Sequence, residues 1–167
     1  MKVVLLEIEI KTTREYTQEE LNEMVDEFER CGFKATASVG LLKKGLEVPP
    51  DVLIILTFVL GMTVGEFVAG FFKKMGADTW DLLKKGIKEV FKKKKEEIHP
   101  RVLIKIPVSE NDKIICFIIA ENEDEFEEAL YSLPKFLDKS KLKIKDVHYQ
   151  IHVFYDKEDG WYLPKKL

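Results

Sequence analysis

Cysteine and histidine, the residues that most often announce chemistry, are scarce in this chain. Cys31 and Cys116 stand alone, with no Cys-x-x-Cys spacing, so neither a zinc ribbon nor a dithiol redox motif is written here, and the natural setting is a reducing cytoplasm. Of three histidines, His99 precedes Pro100 without a ligand-spaced companion. His148 and His152 lie in a segment whose alternation predicts a strand, which sets them about 13 Å apart on a polar face, too far to share a metal. Ser109, Ser132 and Ser140 lack the glycine-flanked turn of a nucleophile elbow. The Gly40 to Gly45 loop carries Lys43 and Lys44 but not the Gly-Lys-Ser/Thr ending of a phosphate-cradling loop. The acidic run Glu121 to Glu128 has no glycine and no alternating ligand order, so it reads as helix-start acids and not as a calcium loop. No catalytic residue, cofactor or metal site is assigned from these patterns. A formal net charge of −3 argues against general nucleic-acid affinity. Met1 to Lys11 has no apolar core with a cleavage site, hence no signal peptide is expected.

One long hydrophobic run is present instead. Residues 52 to 72 contain fourteen Val, Leu, Ile, Met or Phe among 21, with Glu66 the sole ionisable group. Leaving them in water would forgo on the order of 20–40 kcal/mol, so something must cover them. Read as a helix, the run is about 32 Å long, close to the ~30 Å of a bilayer core, and membrane association stands as the alternative to a soluble interaction helix. Gly61, Gly65 and Ala69 fall four apart and would line one groove of that helix, where a second backbone could approach closely. Short apolar β-branched runs are ambiguous, and Val52 to Val59 is also compatible with a strand.

Around this run the elements follow from periodicity. Val3 to Lys11 alternates, with Ile8 and Ile10 on one face. Thr17 and Glu20 form a capping box before Leu21, Met24, Val25 and Phe28 at helical spacing, and Gly32 is placed to end that helix. Phe33 to Val39 alternates again. Gly40 to Pro50 is a break. Asp78 can cap a second helix, with Trp80, Leu83, Ile87, Val90 and Phe91 on one face. Val102 to Val108 and Ile114 to Ala120 form a hairpin around Glu110, Asn111 and Asp112. Asn122 and Glu125 start a helix bearing Phe126, Ala129, Leu130 and Leu133, which Pro134 should kink or restart. Val147 to Tyr155 alternates, and Asp156 to Gly160 turns it towards Trp161, Tyr162 and Leu163. The expected architecture is one α+β domain over 1–167: a ferredoxin-like antiparallel sheet with helices on one face, and 51–95 as an inserted hairpin of one apolar and one amphipathic helix.

The stretch Phe71 to Lys85, following a glycine-bearing apolar segment, resembles small uncharacterised prokaryotic proteins, some of them like accessory modules of effector or conflict systems. The likeness covers roughly 50–95 and, loosely, the strand-rich end near Trp161. It implies an accessory role and transfers no catalytic motif. The functional expectation is a non-enzymatic module that self-assembles or docks a protein partner. Gly61, Gly65 and Ala69 would set the approach distance, and Phe58, Met62, Phe72 and Trp80 would supply apolar contact. Lys84, Lys85, Lys88, Lys92, Lys93, Lys94 and Lys95 would steer anionic partners, since Lys73 to Lys95 holds nine lysines against Asp78, Asp81 and Glu89. An enzyme whose site assembles only in three dimensions ranks third.

Overall fold

Strand periodicity, not helix, governs the centre of the chain. The computed structural model describes residues 6–12, 16–39, 52–58, 77–92, 101–107, 111–140, 147–148 and 150–164. Seven strands are seen: β1 (Leu6–Thr12), β2 (Ala35–Val39), β3 (Val52–Phe58), β4 (Arg101–Pro107), β5 (Lys113–Ile119), β6 (Gln150–Asp156) and β7 (Gly160–Tyr162). Three helices accompany them: α1 (Gln18–Arg30), α2 (Ala77–Lys92) and α3 (Glu123–Lys139). The sheet is mixed, in the order β2-β1-β3-β4-β5-β6-β7.

The register is set by which residues face the helices. Ala35, Ile8, Leu56, Ile104, Cys116 and Val153 form one inward row across six strands, and Ala37, Ile10, Ile54, Val102, Ile118, Tyr155 and Trp161 form the next. Against these rows α1 lays Leu21, Met24 and Phe28, α2 lays Trp80, Leu83, Ile87, Val90 and Phe91, and α3 lays Phe126, Ala129, Leu130, Leu133 and Leu137. The Phe91 and Phe126 rings, 4.1 Å apart, join α2 to α3.

Local signals place the helices. Thr17 Oγ1 accepts from the Glu20 N–H at 3.2 Å while a Glu20 carboxylate oxygen accepts from the Thr17 N–H at 2.7 Å, closing the expected box. Gly32 takes φ +89 to end α1. Asn122 Oδ1 accepts from the Glu125 N–H at 3.0 Å. Asp78 falls inside the first turn of α2 instead of capping it. Pro134 does not break α3, because the apolar stripe of Leu130, Leu133 and Leu137 keeps both sides of it on the same core.

Two expectations need correction. Val52 to Phe58 is not a helical arm: it is β3, paired along its whole length with β1 and in parallel with β4. Its continuous apolar character comes from lying inside the sheet with apolar side chains on both faces, a pattern in which alternation vanishes. The sheet of seven strands is also larger than that of a ferredoxin-like fold. The second, amphipathic arm does exist as α2. Gly61, Met62, Gly65, Ala69 and Phe72 lie outside the described residues, as do Lys93, Lys94 and Lys95.

Each helix connects a parallel neighbouring pair: β1 to β2, β3 to β4, and β5 to β6. β1 and β5 run the same way, yet β2 lies on one side of β1 and β6 on the opposite side of β5. With all three described helices on one face, the α3 connection therefore winds with the opposite hand to the other two. Had it shared their hand, α3 would sit on the other face.

α1 and α2 touch where Gly86 faces the buried Phe28 ring. A Cβ on residue 86 would stand 2.8 Å from Phe28 Cδ1. Overpacking by that much costs about 3 kcal/mol, against about 1 kcal/mol gained from the better helix former. Gly86→Ala should therefore lower unfolding stability by about 1–2 kcal/mol in urea titration; a stability equal to or above wild type would show that the two helices do not meet there.

Candidate interaction surface

The outward positions of the same strands build a second surface. Ile55, Leu103, Phe117, Phe154 and Tyr162 stand side by side across β3 to β7, with Glu9 beyond Ile55 on β1. One flanking row is Thr57, Lys105, Ile115 and His152; the other is Leu53, Arg101 and Ile119, with Asp156 one step past the registered pairs. All three described helices pack on the opposite face. Ile55 and Ile115 are nevertheless buried, whereas Ile119 is 48% and Tyr162 38% exposed.

Aromatic rings organise this row. Phe117 and Phe154 are nearly parallel, 8° apart in plane, with centroids at 5.0 Å, and Tyr162 continues the stack at 6.0 Å from Phe154. Phe117 and Phe154 are close and parallel enough for offset face-to-face contact, and Tyr162 flanks the other side of Phe154 at a wider offset. His152 meets Phe117 and Phe154 edge-on, and its Nε2 lies 3.1 Å from Gln150 Oε1. Arg101 Nε is buried with no hydrogen-bond partner among the described residues.

The residues singled out from sequence fall elsewhere. Phe58 is fully buried in β3, and Trp80 is buried in α2 against the core, so both serve packing. The α2 lysines face the acidic start of α3 and their own neighbours. Lys84 pairs with Asp81 at 2.8 Å and sits 5.5 Å from the Tyr131 ring. Lys88 reaches Glu127 at 2.8 Å and Glu123 at 3.9 Å, and Lys92 pairs with Glu89 at 3.0 Å. The hydrogen bond to Glu127 raises the Lys88 pKa, and that to Lys88 lowers the Glu127 pKa. A cleft of about 250 Å³ between α2 and α3 is lined by Asp81, Lys84, Lys88, Glu123 and Glu127 together with Lys85, Phe126 and Leu130. An ammonium stabilised in its charged form is the opposite of a nucleophilic lysine. A broader cleft of about 430 Å³ beside β7 is lined by Ser132, Lys135, Phe136, Lys139 and Trp161, among others. There the Ser132 hydroxyl donates to the Glu128 carbonyl at 2.8 Å, and the Trp161 indole N–H donates to the Ala129 carbonyl at 2.8 Å. Burial pushes the Cys116 thiol up to about 12, which keeps it inert in the core.

The aromatic row was not visible as a unit in the sequence, since its members come from five strands and only the register joins them. Among the described residues no helix is long and apolar enough to cross a membrane. No protein family, curated protein or solved structure matches this chain.

Glu125 ties the start of α3 to the β6–β7 turn. Its carboxylate accepts from the Glu121 N–H at 3.0 Å and from Asn122 Nδ2 at 3.2 Å, and pairs with Lys157 at 3.0 Å. The Glu121 backbone bond, then Lys157, hold its pKa below the usual carboxylate range. Stability from such a group is present above the unfolded glutamate value of about 4.3 and is lost as pH falls through the lower folded value. Glu125→Gln should therefore flatten the acid limb of a stability profile measured below about pH 4.3, with a constant offset above it. Parallel acid limbs for the two proteins would remove Glu125 from the pH dependence.

Proposed function

We propose that this chain is a non-enzymatic interaction module that docks through the open face of its sheet. The reading is carried by one observation: a continuous apolar and aromatic row, Ile55 to Tyr162, lies on the face opposite all three described helices. Apolar surface of this kind, rimmed by Lys105, Lys113 and Glu9, is the composition of a docking patch, with a dry centre and a polar edge. In this reading the docking element is the sheet, and Gly61, Gly65 and Ala69 of the segment expected from sequence lie outside the described residues. The ring geometry favours protein over nucleic acid as the partner, because bases stack on ring faces and these faces are largely occupied by one another. The resemblance of the Phe71 to Lys85 stretch supports an accessory role beside a prokaryotic effector, and the free thiols of Cys31 and Cys116 agree with a cytoplasmic setting.

A docking side chain and a core side chain differ in what their loss does to the isolated chain. At dilution, Phe154→Ser should cost no more than about 1–2 kcal/mol, mostly the lost ring stacking, because water already reaches that face. A loss of about 3–5 kcal/mol in denaturant titration, the range of a truncated core phenylalanine, would mean that the chain itself covers Phe154.

A further inference from the structure

Resting on that reading, we propose that the occupant of the open face is the same face of a second copy, with the twofold axis running along β5. A face-to-face homodimer has its axis in the interface plane, and each residue then meets the position reflected across that axis. About β5, Ile115, Phe117 and Ile119 meet their own counterparts, Leu103 meets Phe154, and Ile55 meets Tyr162. Apolar falls on apolar along this central row, while one step along Lys105 falls on His152. Arg101 falls on Asp156, one strand to either side of the axis.

That last pair selects the second copy and the axis. Arg101 Nε is buried with no hydrogen-bond partner among the described residues, and the half-buried guanidinium that carries it is best met at an apolar patch by a carboxylate. Asp156 uses Oδ1 to accept from the Asp159 N–H at 2.7 Å, which leaves its other oxygen to accept from outside. An axis along β4 fails the same test, because it sets Arg101 on Arg101 and Glu9 on Phe154. Stacked sheets rotate by about 30°, which displaces positions near the axis by a few ångströms, within the span of an arginine side chain.

Size agrees. Strands β3 to β6 at ~4.8 Å spacing and seven residues of ~3.3 Å, with the three residues of β7, give roughly 490 Å² per copy, about 1,000 Å² in total, the lower bound of a specific contact. The charged outer positions of β1, Glu7, Glu9 and Lys11, then fall outside the contact and stay in water.

The experiment is sedimentation equilibrium on the full-length chain with four variants. Wild type should be a dimer at micromolar concentration, and Phe117→Glu a monomer. Arg101→Asp and Asp156→Arg should each raise the dimer Kd at least about tenfold, since each sets like charges together twice. An equimolar mixture of those two single variants should recover a dimer, because both cross-interface pairs are then opposite in sign, and the double variant should recover one with itself. A monomeric wild type, a dimer that survives Phe117→Glu, or single variants that do not rescue each other on mixing would overturn the proposal. A monomeric wild type in which Phe154→Ser leaves stability nearly intact would sink the homodimer alone and keep the face open for a different protein. Unfolding of the monomer by Phe154→Ser would instead sink the docking reading itself.

Discussion

Side chains along a strand alternate between two faces, so a sheet of seven strands needs cover twice. One cover is built in. The inward rows of Ile8, Ile10, Ile54, Leu56, Val102, Ile104, Ile118 and Val153 meet apolar stripes from α1, α2 and α3, and most of these residues are completely dry. The tightest point of that layer is the approach of α1 to α2 at Gly86 and Phe28, where the absence of a side chain on one helix admits a whole ring from the other. The core depends on this contact because it fixes how deeply both helices sit on the sheet.

Chain topology decides why the three described helices all lie on the first face. A crossover helix lands on the face dictated by strand direction, step direction and hand. In this chain the step from β5 to β6 is reversed relative to that from β1 to β2 while strand direction is unchanged. Placing α3 beside α2 therefore requires the opposite winding. The contacts that favour this placement are specific: Phe91 on Phe126, Lys88 on Glu127, and the Trp161 indole on the Ala129 carbonyl. They gather the three described helices into one layer, and none of these covers the outward aromatic row.

Much of the local structure was legible in the sequence, and the reasons are short-range. Thr17 with Glu20, Asn122 with Glu125, and the turn at Gly32 act over three or four residues, and each appears where the pattern placed it. Alternation marked β1, β4 and β6 because their outward positions include charged or polar residues such as Glu9, Lys105 and His152. It failed for β3. There Leu53, Ile55 and Thr57 face outward between β1 and β4, so the strand reads as an unbroken apolar run, and the apolar residues that follow extended that run to a helical length. The candidate surface was hidden for a different reason. Phe117, Phe154 and Tyr162 are unremarkable in their own strands, and their adjacency exists only after the β5–β6 and β6–β7 registers are known.

The two sides of the molecule also differ in how they treat water, and this difference argues for the sheet over the helices as the place where another protein binds. On the helical side Lys84, Lys88 and Lys92, three of the nine lysines counted from the sequence as a positive block, are matched locally by Asp81, Glu89, Glu123 and Glu127, at exposed sites where such pairs are weak and screened. That surface is already satisfied by itself and by solvent. A partner would have to strip water from charges that have no need of it. On the sheet side the opposite holds. Water there touches Ile119, Tyr162 and the stacked rings, and Arg101 keeps a buried nitrogen with no partner among the described residues, so covering the face releases water from apolar surface and answers a polar demand in one step.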